Sequence, residues 1–279
     1  RTSSYAAENG PLYYNYDDPL LENATAQGFA CVDTQGPIRR EDVAAAIKVA
    51  RRFLVDCQKT ILYIKEAGFV VDDKDSVRDP VGIYGRKLEV TVRALLARTS
   101  RLENYAKVFQ RVFVRRAVPI LSILSSARAV KPVLDTDKTL LWDLGRDYLN
   151  AAVVQADEPL DARVWVSPGA MTRDELVEKV RQESDRLMAS HAGVDGCVLT
   201  GDWTSEAGLT DALSKSLGLN VRIAAPSGYP QLENPCYASL VGLLLEAEGL
   251  DRKDPRSGSR RDTVLTFKQK AAALVSEYF

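Results

Sequence analysis

Residues 198–245, VLTGDWTSEAGLTDALSKSLGLNVRIAAPSGYPQLENPCYASLVGLLL, decide the fold class of this chain. The run begins with apolar residues at 198–200, which predict a buried strand ending at Gly201. Leucines then recur at helical spacing up to Gly218, a residue type that commonly ends a helix. The first half of the run therefore predicts a strand, a glycine turn and a helix.

The second half of the run repeats this order. Residues 221–225 predict another strand, and Asn234 followed by Pro235 predicts a helix start, because asparagine caps and proline fits the first turn. The apolar face of that helix follows at Ala238, Val241, Leu244 and Leu245. A strand that ends in glycine and leads into a helix is typical of a parallel α/β sheet, in which such turns hold nucleotides.

Composition excludes several other classes of protein. The chain has 279 residues, of which 46% are hydrophobic, so it can bury one large core or two smaller ones. Its net charge of −1 gives no overall electrostatic attraction to nucleic acid. The four cysteines form no C-x-x-C pair and there is one histidine, His191, so we predict no metal site, reduced cysteines and a surface imidazole.

Two regions carry a resemblance to a known family. Residues 79–85 read D-P-V-G-I-Y-G and are followed by L-E-V at 88–90, which is similar to N-P-I-G-M-S-G-x-x-L-E-V in subdomain 1C of the cell-division protein FtsA. Residues 38–43 and 69–72 resemble two further 1C segments. Within 198–245, VLTG, VRIAAP and NPCYASLVGLLL resemble the end of the second FtsA ATPase domain. The order of all these motifs is that of the family.

The resemblance implies a reduced actin-like (ribonuclease H-like) α/β fold that carries an FtsA-type 1C subdomain. It also implies a nucleotide site in which family positions are retained at Asp143, Gly145, Gly201 and Gly208. Other positions of the phosphate turns are changed, since Arg146 and Asp147 follow Gly145 and Asp202 and Trp203 follow Gly201. We therefore expect no catalytic residues and no ATPase activity, with weak or absent binding of ATP and magnesium.

The predicted organisation has five parts. An irregular arm at 1–27 precedes a 1C-like subdomain at 28–116 and a reduced actin-like domain at 117–250. A linker at 251–262 leads to an amphipathic helix at 263–279. The family's first phosphate loop and its subdomain 2B are predicted to be missing.

The C-terminal helix has two interpretations. It is either a last helix docked on the domain or, as the resemblance implies, an anchor on the inner face of the membrane. The residues expected to contact the membrane share one stripe or flank it: Val264, Phe267, Lys268, Lys270, Leu274, Val275, Tyr278 and Phe279.

The resemblance favours a protein that tethers a division or cytoskeletal complex to the cytoplasmic face of the cell membrane. Its 1C-like region would contact other copies or division proteins, and an FtsZ-like partner is left open because subdomain 2B carries much of that contact in the family. No nucleic acid partner is expected. The alternative is a small-molecule enzyme, or a protein that binds a phosphorylated ligand at the Gly201 turn.

Overall fold

A computed structural model describes residues 11–32, 36–55, 58–73, 75–111, 116–134, 138–155, 158–167, 169 and 171–253. The chain divides into two compact units, residues 20–108 and residues 1–19 with 109–279. In chain order, the strands and helices are β1 (Leu12–Tyr16), β2 (Glu22–Cys31), α1 (Arg40–Leu54), β3 (Lys59–Val71), β4 (Asp75–Val77), β5 (Lys87–Arg98), α2 (Thr99–Arg111), β6 (Ala117–Leu121), α3 (Ser122–Ala129), β7 (Thr139–Leu144), β8 (Tyr148–Gln155), β9 (Glu158–Val166), α4 (Arg173–Ser190), β10 (Gly196–Thr200), α5 (Leu209–Leu217), β11 (Asn220–Ile223) and α6 (Ala238–Lys253).

The 20–108 unit is an antiparallel sheet covered by one helix. Its strand order is β2-β5-β3-β4, and α1 packs on β2, β5 and β3. Alternate residues of β5 are fully buried because one face of the strand lies under the helix. A Cβ at Gly28 would lie 2.1 Å from the Ala46 carbonyl oxygen, so only glycine lets α1 approach β2 this closely.

The D-P-V-G-I-Y-G loop of this unit has a defined backbone geometry. The Asp79 carboxylate accepts a hydrogen bond from the Val81 N–H (3.0 Å), and Gly82 has φ +91°. Two backbone hydrogen bonds join the loop to Ile38. The Gly82 N–H donates to the Ile38 carbonyl (2.9 Å), and the Ile38 N–H donates to the Ile83 carbonyl (2.8 Å). The proline and the glycine with positive φ therefore fix an unusual turn geometry in this loop.

The larger unit contains a five-stranded sheet in the order β11-β10-β7-β8-β9. Strands β7, β10 and β11 are parallel, whereas β8 and β9 form an antiparallel meander with β7. Every residue of β7 is buried, as expected for a central strand. Its Trp142 stacks on Trp165 of β9 (5.3 Å between ring centroids) and donates a hydrogen bond to Ser184 of α4 (3.1 Å).

The same unit holds a second, two-stranded sheet and a pair of packed helices. Strand β1 runs parallel to β6, and α3 packs against α6. A Cβ at Gly242 of α6 would lie 1.6 Å from the Ser125 carbonyl oxygen, which is why the two helices can touch. The prediction of an irregular arm at 1–27 is therefore wrong for 12–16 and 22–27. Because the residues of this arm are polar, the sequence pattern did not reveal its strands, which are stabilised by pairing with residues far along the chain.

Most elements predicted from residues 198–245 are confirmed. The first strand is β10, and the helix that follows it is α5, which ends at Gly218 with φ 66°. The side chain of Asn234 accepts a hydrogen bond from the Cys236 N–H (3.1 Å) and caps a short 3-10 helix, Pro235–Tyr237, that leads into α6. Strand β11 ends at Ile223, two residues before the predicted end, 225.

The predicted linker is wrong in its first part. Helix α6 continues through residues 251–253, which were assigned to the linker, because charged residues continue the preceding helix. The amphipathic segment 263–279 lies outside the described residues. Between β9 and β10, the described residues form one helix, α4.

Candidate functional site

Three aspartates lie near one another at the carboxyl ends of strands in the larger unit. Asp17 directly follows β1, Asp143 is the penultimate residue of β7, and Asp202 comes two residues after β10. Strands β7 and β10 are neighbours in register, with Thr200 opposite Asp143. Both Asp17 and Asp202 are close enough to act electrostatically on Asp143. In α/β sheets, ligands bind at this edge.

Helix α3 holds two of these carboxylates with serine side chains. Ser122 donates to Asp17 Oδ2 and Ser126 donates to Asp143 Oδ2, each at 2.7 Å. Between them, Ser125 donates to the side-chain oxygen of Asn15 in β1 at 3.1 Å. The serines share one helical side and are nearly inaccessible to solvent, so the strand ends are fixed to α3 by a buried polar network.

Burial is the main influence on the protonation of this network. It raises the pKa of Asp143 to about 6, an effect that the hydrogen bond from Ser126 opposes and that the negative charge of Asp17 reinforces. Burial also raises the pKa of Asp17, although hydrogen bonds with Ser122 and Asn150 oppose this. Asp17 Oδ1 and Asn150 Oδ1 are buried and have no hydrogen-bond partner within the described residues. Among the described residues no cation acts on Asp17 or Asp143, so the site disfavours a phosphate whose charge is not neutralised by a metal ion.

Gly201 contacts the end of β7. Its φ of +93° places its Cα against Leu144, where an added Cβ would come within 2.6–2.7 Å of three backbone atoms of that residue. The glycine is therefore required for the close approach of two strand ends. Asp202 and Trp203 follow in a 3-10 helix, Asp202–Ser205, and Trp203 packs on the core of the five-stranded sheet.

Gly145 lies in the tight hairpin between β7 and β8. A Cβ there would lie 2.9 Å from the Tyr148 carbonyl oxygen, so the hairpin itself accounts for the glycine. The next two residues, Arg146 and Asp147, are exposed at the tip of the turn. Their side chains occupy the positions where consecutive glycines would let backbone N–H groups surround a phosphate.

Gly208 has a different role from the other three predicted positions. It precedes α5 in the left-handed conformation, with φ 74°. Its nearest neighbour on the Cβ side is the Arg173 guanidinium at 3.4 Å. The structure thus brings Asp143, Gly145 and Gly201 to one sheet edge, whereas Gly208 ends the turn that leads away from it.

Sequence reasoning missed Asp17, Asn150 and the serines of α3. Asp17 was placed in the irregular arm, although the alternation of tyrosines before it is typical of a strand. Asn150 sits opposite Asp143 in the β7–β8 ladder. The serine spacing at 122, 125 and 126 was visible as one helical face, but only the fold shows that this face meets carboxylates.

The remaining predicted features lie away from the three aspartates or outside the described residues. His191 is half-buried rather than on the surface, with Nε2 3.5 Å from Asp161 Oδ2. Cys197 is buried, which raises the pKa of its thiol to about 12 and makes it unreactive. Among the described residues no group of side chains could hold a metal ion, and none of the described helices is long and apolar enough to cross a membrane. The eight residues expected to contact a membrane all lie beyond residue 253.

Comparison with known proteins places these features in a family. A family model described as the SHS2 domain inserted in FtsA matches residues 21–96, which fall within the 20–108 unit. The cell division protein FtsA of Neisseria meningitidis serogroup B is 22% identical over 211 residues, covering 73% of this chain and 50% of that protein. The FtsA of Borreliella burgdorferi is 22% identical over 128 residues, covering 45% of this chain and 31% of that protein.

The chain is similar to FtsA proteins in these regions. It spans at most about half the length of the curated relatives it matches. The structure of a PilM-PilN type IV pilus biogenesis complex matches it with a TM-score of 0.52 at 16% identity, covering 81% of this chain and 76% of that chain. The fold class is confirmed as a reduced actin-like fold carrying an FtsA-type inserted subdomain.

Proposed function

We propose that this FtsA-like protein links a division or cytoskeletal assembly to the cytoplasmic face of the cell membrane. The observation that carries the proposal is the match of residues 21–96 to the domain inserted in FtsA, because that stretch forms a compact unit of its own. Membrane attachment is assigned to residues 263–279, whose apolar stripe and flanking lysines suit an anionic surface.

We further propose that the actin-like unit serves as a scaffold and binds nucleotide weakly or not at all. Two features support this. Asp17, Asp143 and Asp202 oppose a phosphate whose charge is not neutralised by a metal ion, because their own carboxylates are negative. Trp203 packs on the apolar core at a position where the family has glycine.

Nucleotide binding is tested by calorimetric titration of the full chain with Mg-ATP. The expected result is no measurable heat of binding in the micromolar range. Asp202→Gly/Trp203→Gly provides a gain-of-function comparison, because it restores the family's glycines without touching Gly201. Micromolar binding of Mg-ATP by the unaltered chain would refute the proposal that its nucleotide site is degenerate.

Membrane attachment is tested by co-sedimentation with vesicles that contain anionic phosphatidylglycerol. Deleting residues 263–279 should abolish sedimentation, and Lys268→Glu/Lys270→Glu should weaken it by about tenfold or more, because each lysine contributes about 1 kcal/mol near such a surface. Fusing residues 254–279 to a monomeric fluorescent protein provides the reciprocal test. Unchanged sedimentation after deletion would refute the anchor.

A further inference from the structure

Helix α1 of the 20–108 unit has a second face that its own sheet covers only in part. Ala46, Ala50 and Leu54 are buried against the strands. A shallow, open depression lies on another side of the helix and is lined by Ala44, Ile47, Lys48, Arg51, Arg52 and Val55. These positions recur at three- and four-residue spacing, so they form one stripe along the helix.

The stripe combines apolar and cationic side chains. Ala44 and Val55 are exposed, whereas Ile47 is half-buried because it also packs on the core of the sheet, so part of the apolar surface remains open to solvent. Lys48, Arg51 and Arg52 are exposed as well, and within the described residues none of them forms an ion pair or side-chain hydrogen bond. Arg51 and Arg52 also complement the helix dipole in the last turn, but Lys48 lies a turn earlier and the dipole does not explain the open apolar surface.

We infer that this face of α1 is a docking site for an acidic amphipathic helix of a partner protein. An apolar strip would cover Ala44, Ile47 and Val55, while flanking carboxylates would pair with the three cations. The inference adds a partner chemistry to the assembly role proposed above, on which it rests.

The pairing would be sensitive to charge and salt. Complementary charges at an interface raise the association rate and exclude partners of the wrong sign. A basic amphipathic helix should therefore fail to bind here even if its apolar strip is identical. Salt should weaken the binding of an acidic helix, because the cations involved are exposed.

The test uses two synthetic helical peptides that share one leucine strip, flanked by glutamates in one and by lysines in the other. Fluorescence anisotropy should show binding of the glutamate peptide to the full chain and none of the lysine peptide. Arg51→Glu/Arg52→Glu should weaken binding by about tenfold or more, and Arg51→Gln/Arg52→Gln by less. Lys107→Glu/Arg111→Glu makes the same charge change on exposed positions of α2 and should leave binding unchanged.

Circular dichroism melts of each variant separate loss of the site from loss of the fold. Equal binding of both peptides, no binding of the glutamate peptide, or an Arg51→Glu/Arg52→Glu variant that binds normally would each overturn the inference. Two other occupants would also overturn the inference. One is a vesicle of anionic phosphatidylglycerol whose binding depends on Arg51 and Arg52. The other is a second copy of the chain, if Arg51→Glu/Arg52→Glu abolishes self-association. The peptide assay contains no membrane or nucleotide, so a failed anchor or an ATP-binding chain would not alter its result.

Discussion

Replacing Asp143 by asparagine should stabilise the larger unit near neutral pH and remove part of its pH dependence. Burial raises the pKa of Asp143 from 3.8 to about 6. The folded state therefore holds a proton that the unfolded chain releases between these values. The contribution to stability is fully present below about pH 4 and is lost as the pH rises through 6.

The magnitude follows from the pKa difference. A rise from 3.8 to about 6 corresponds to about 3 kcal/mol at pH 7.5, at 1.36 kcal/mol for each factor of ten in proton affinity. Asp143→Asn keeps the size of the side chain and a group that Ser126 can bond, but carries no charge to desolvate. We expect the variant to equal the parent near pH 3, to exceed it by about 1 kcal/mol at pH 4.5 and by up to about 3 kcal/mol at pH 7.5.

Urea unfolding, monitored by tryptophan fluorescence, reports the free energy of unfolding of the larger unit, which contains Asp143. The chain has three tryptophans, at positions 142, 165 and 203, and all lie in the larger unit. Comparing parent and variant at each pH cancels the titrating groups that do not interact with Asp143, whereas Asp17, whose charge acts on Asp143, contributes to the measured difference. The exposed Asp195→Asn variant is the control for the loss of one negative charge. Parallel stability curves for parent and Asp143→Asn across this pH range would refute the assignment of a desolvated carboxylate.

Three further predictions concern backbone contacts and a helix cap, each measured as the free energy of unfolding in urea. Gly201→Ala should destabilise the larger unit by about 2 kcal/mol or more, since it adds a clash with Leu144 to a strained φ. The control, Gly193→Ala, lies at φ +83° with no neighbour within 4 Å and should cost only the backbone strain. Equal losses of stability in the two variants would exclude the clash. Gly242→Ala should separate α6 from α3 and lower the free energy of unfolding by more than about 3 kcal/mol. Gly249→Ala lies in the same helix, where an added Cβ has no neighbour within 4 Å, and should stabilise by up to about 1 kcal/mol. A stable Gly242→Ala variant would contradict the close packing of α6 on α3. Thr172→Ala should cost about 1 kcal/mol because its side chain caps α4 at the Glu175 N–H (3.3 Å), and an unchanged stability would show that Glu175 alone suffices.

The sequence predicted elements whose stability is local and missed those that depend on distant pairing. The end of α5 at Gly218 and the helix start at Asn234 were visible within a few residues. Strand β1 was missed because its partner, β6, lies about a hundred residues later and its own residues are polar and aromatic. The site shows the same limit, since Asp17 meets Ser122 only through the fold.

The retained glycines illustrate why a motif match does not establish a retained ligand. Gly201 is required by the Leu144 backbone and Gly145 by the Tyr148 carbonyl, contacts that exist whether or not a nucleotide binds. The fold would therefore preserve these glycines after loss of a nucleotide. The positions beside them face no such constraint, and they carry Arg146, Asp147, Asp202 and Trp203. Information about the ligand thus resides in the changed positions, so restoring glycine at 202 and 203 tests nucleotide binding more directly than removing Gly201, which would disrupt the sheet.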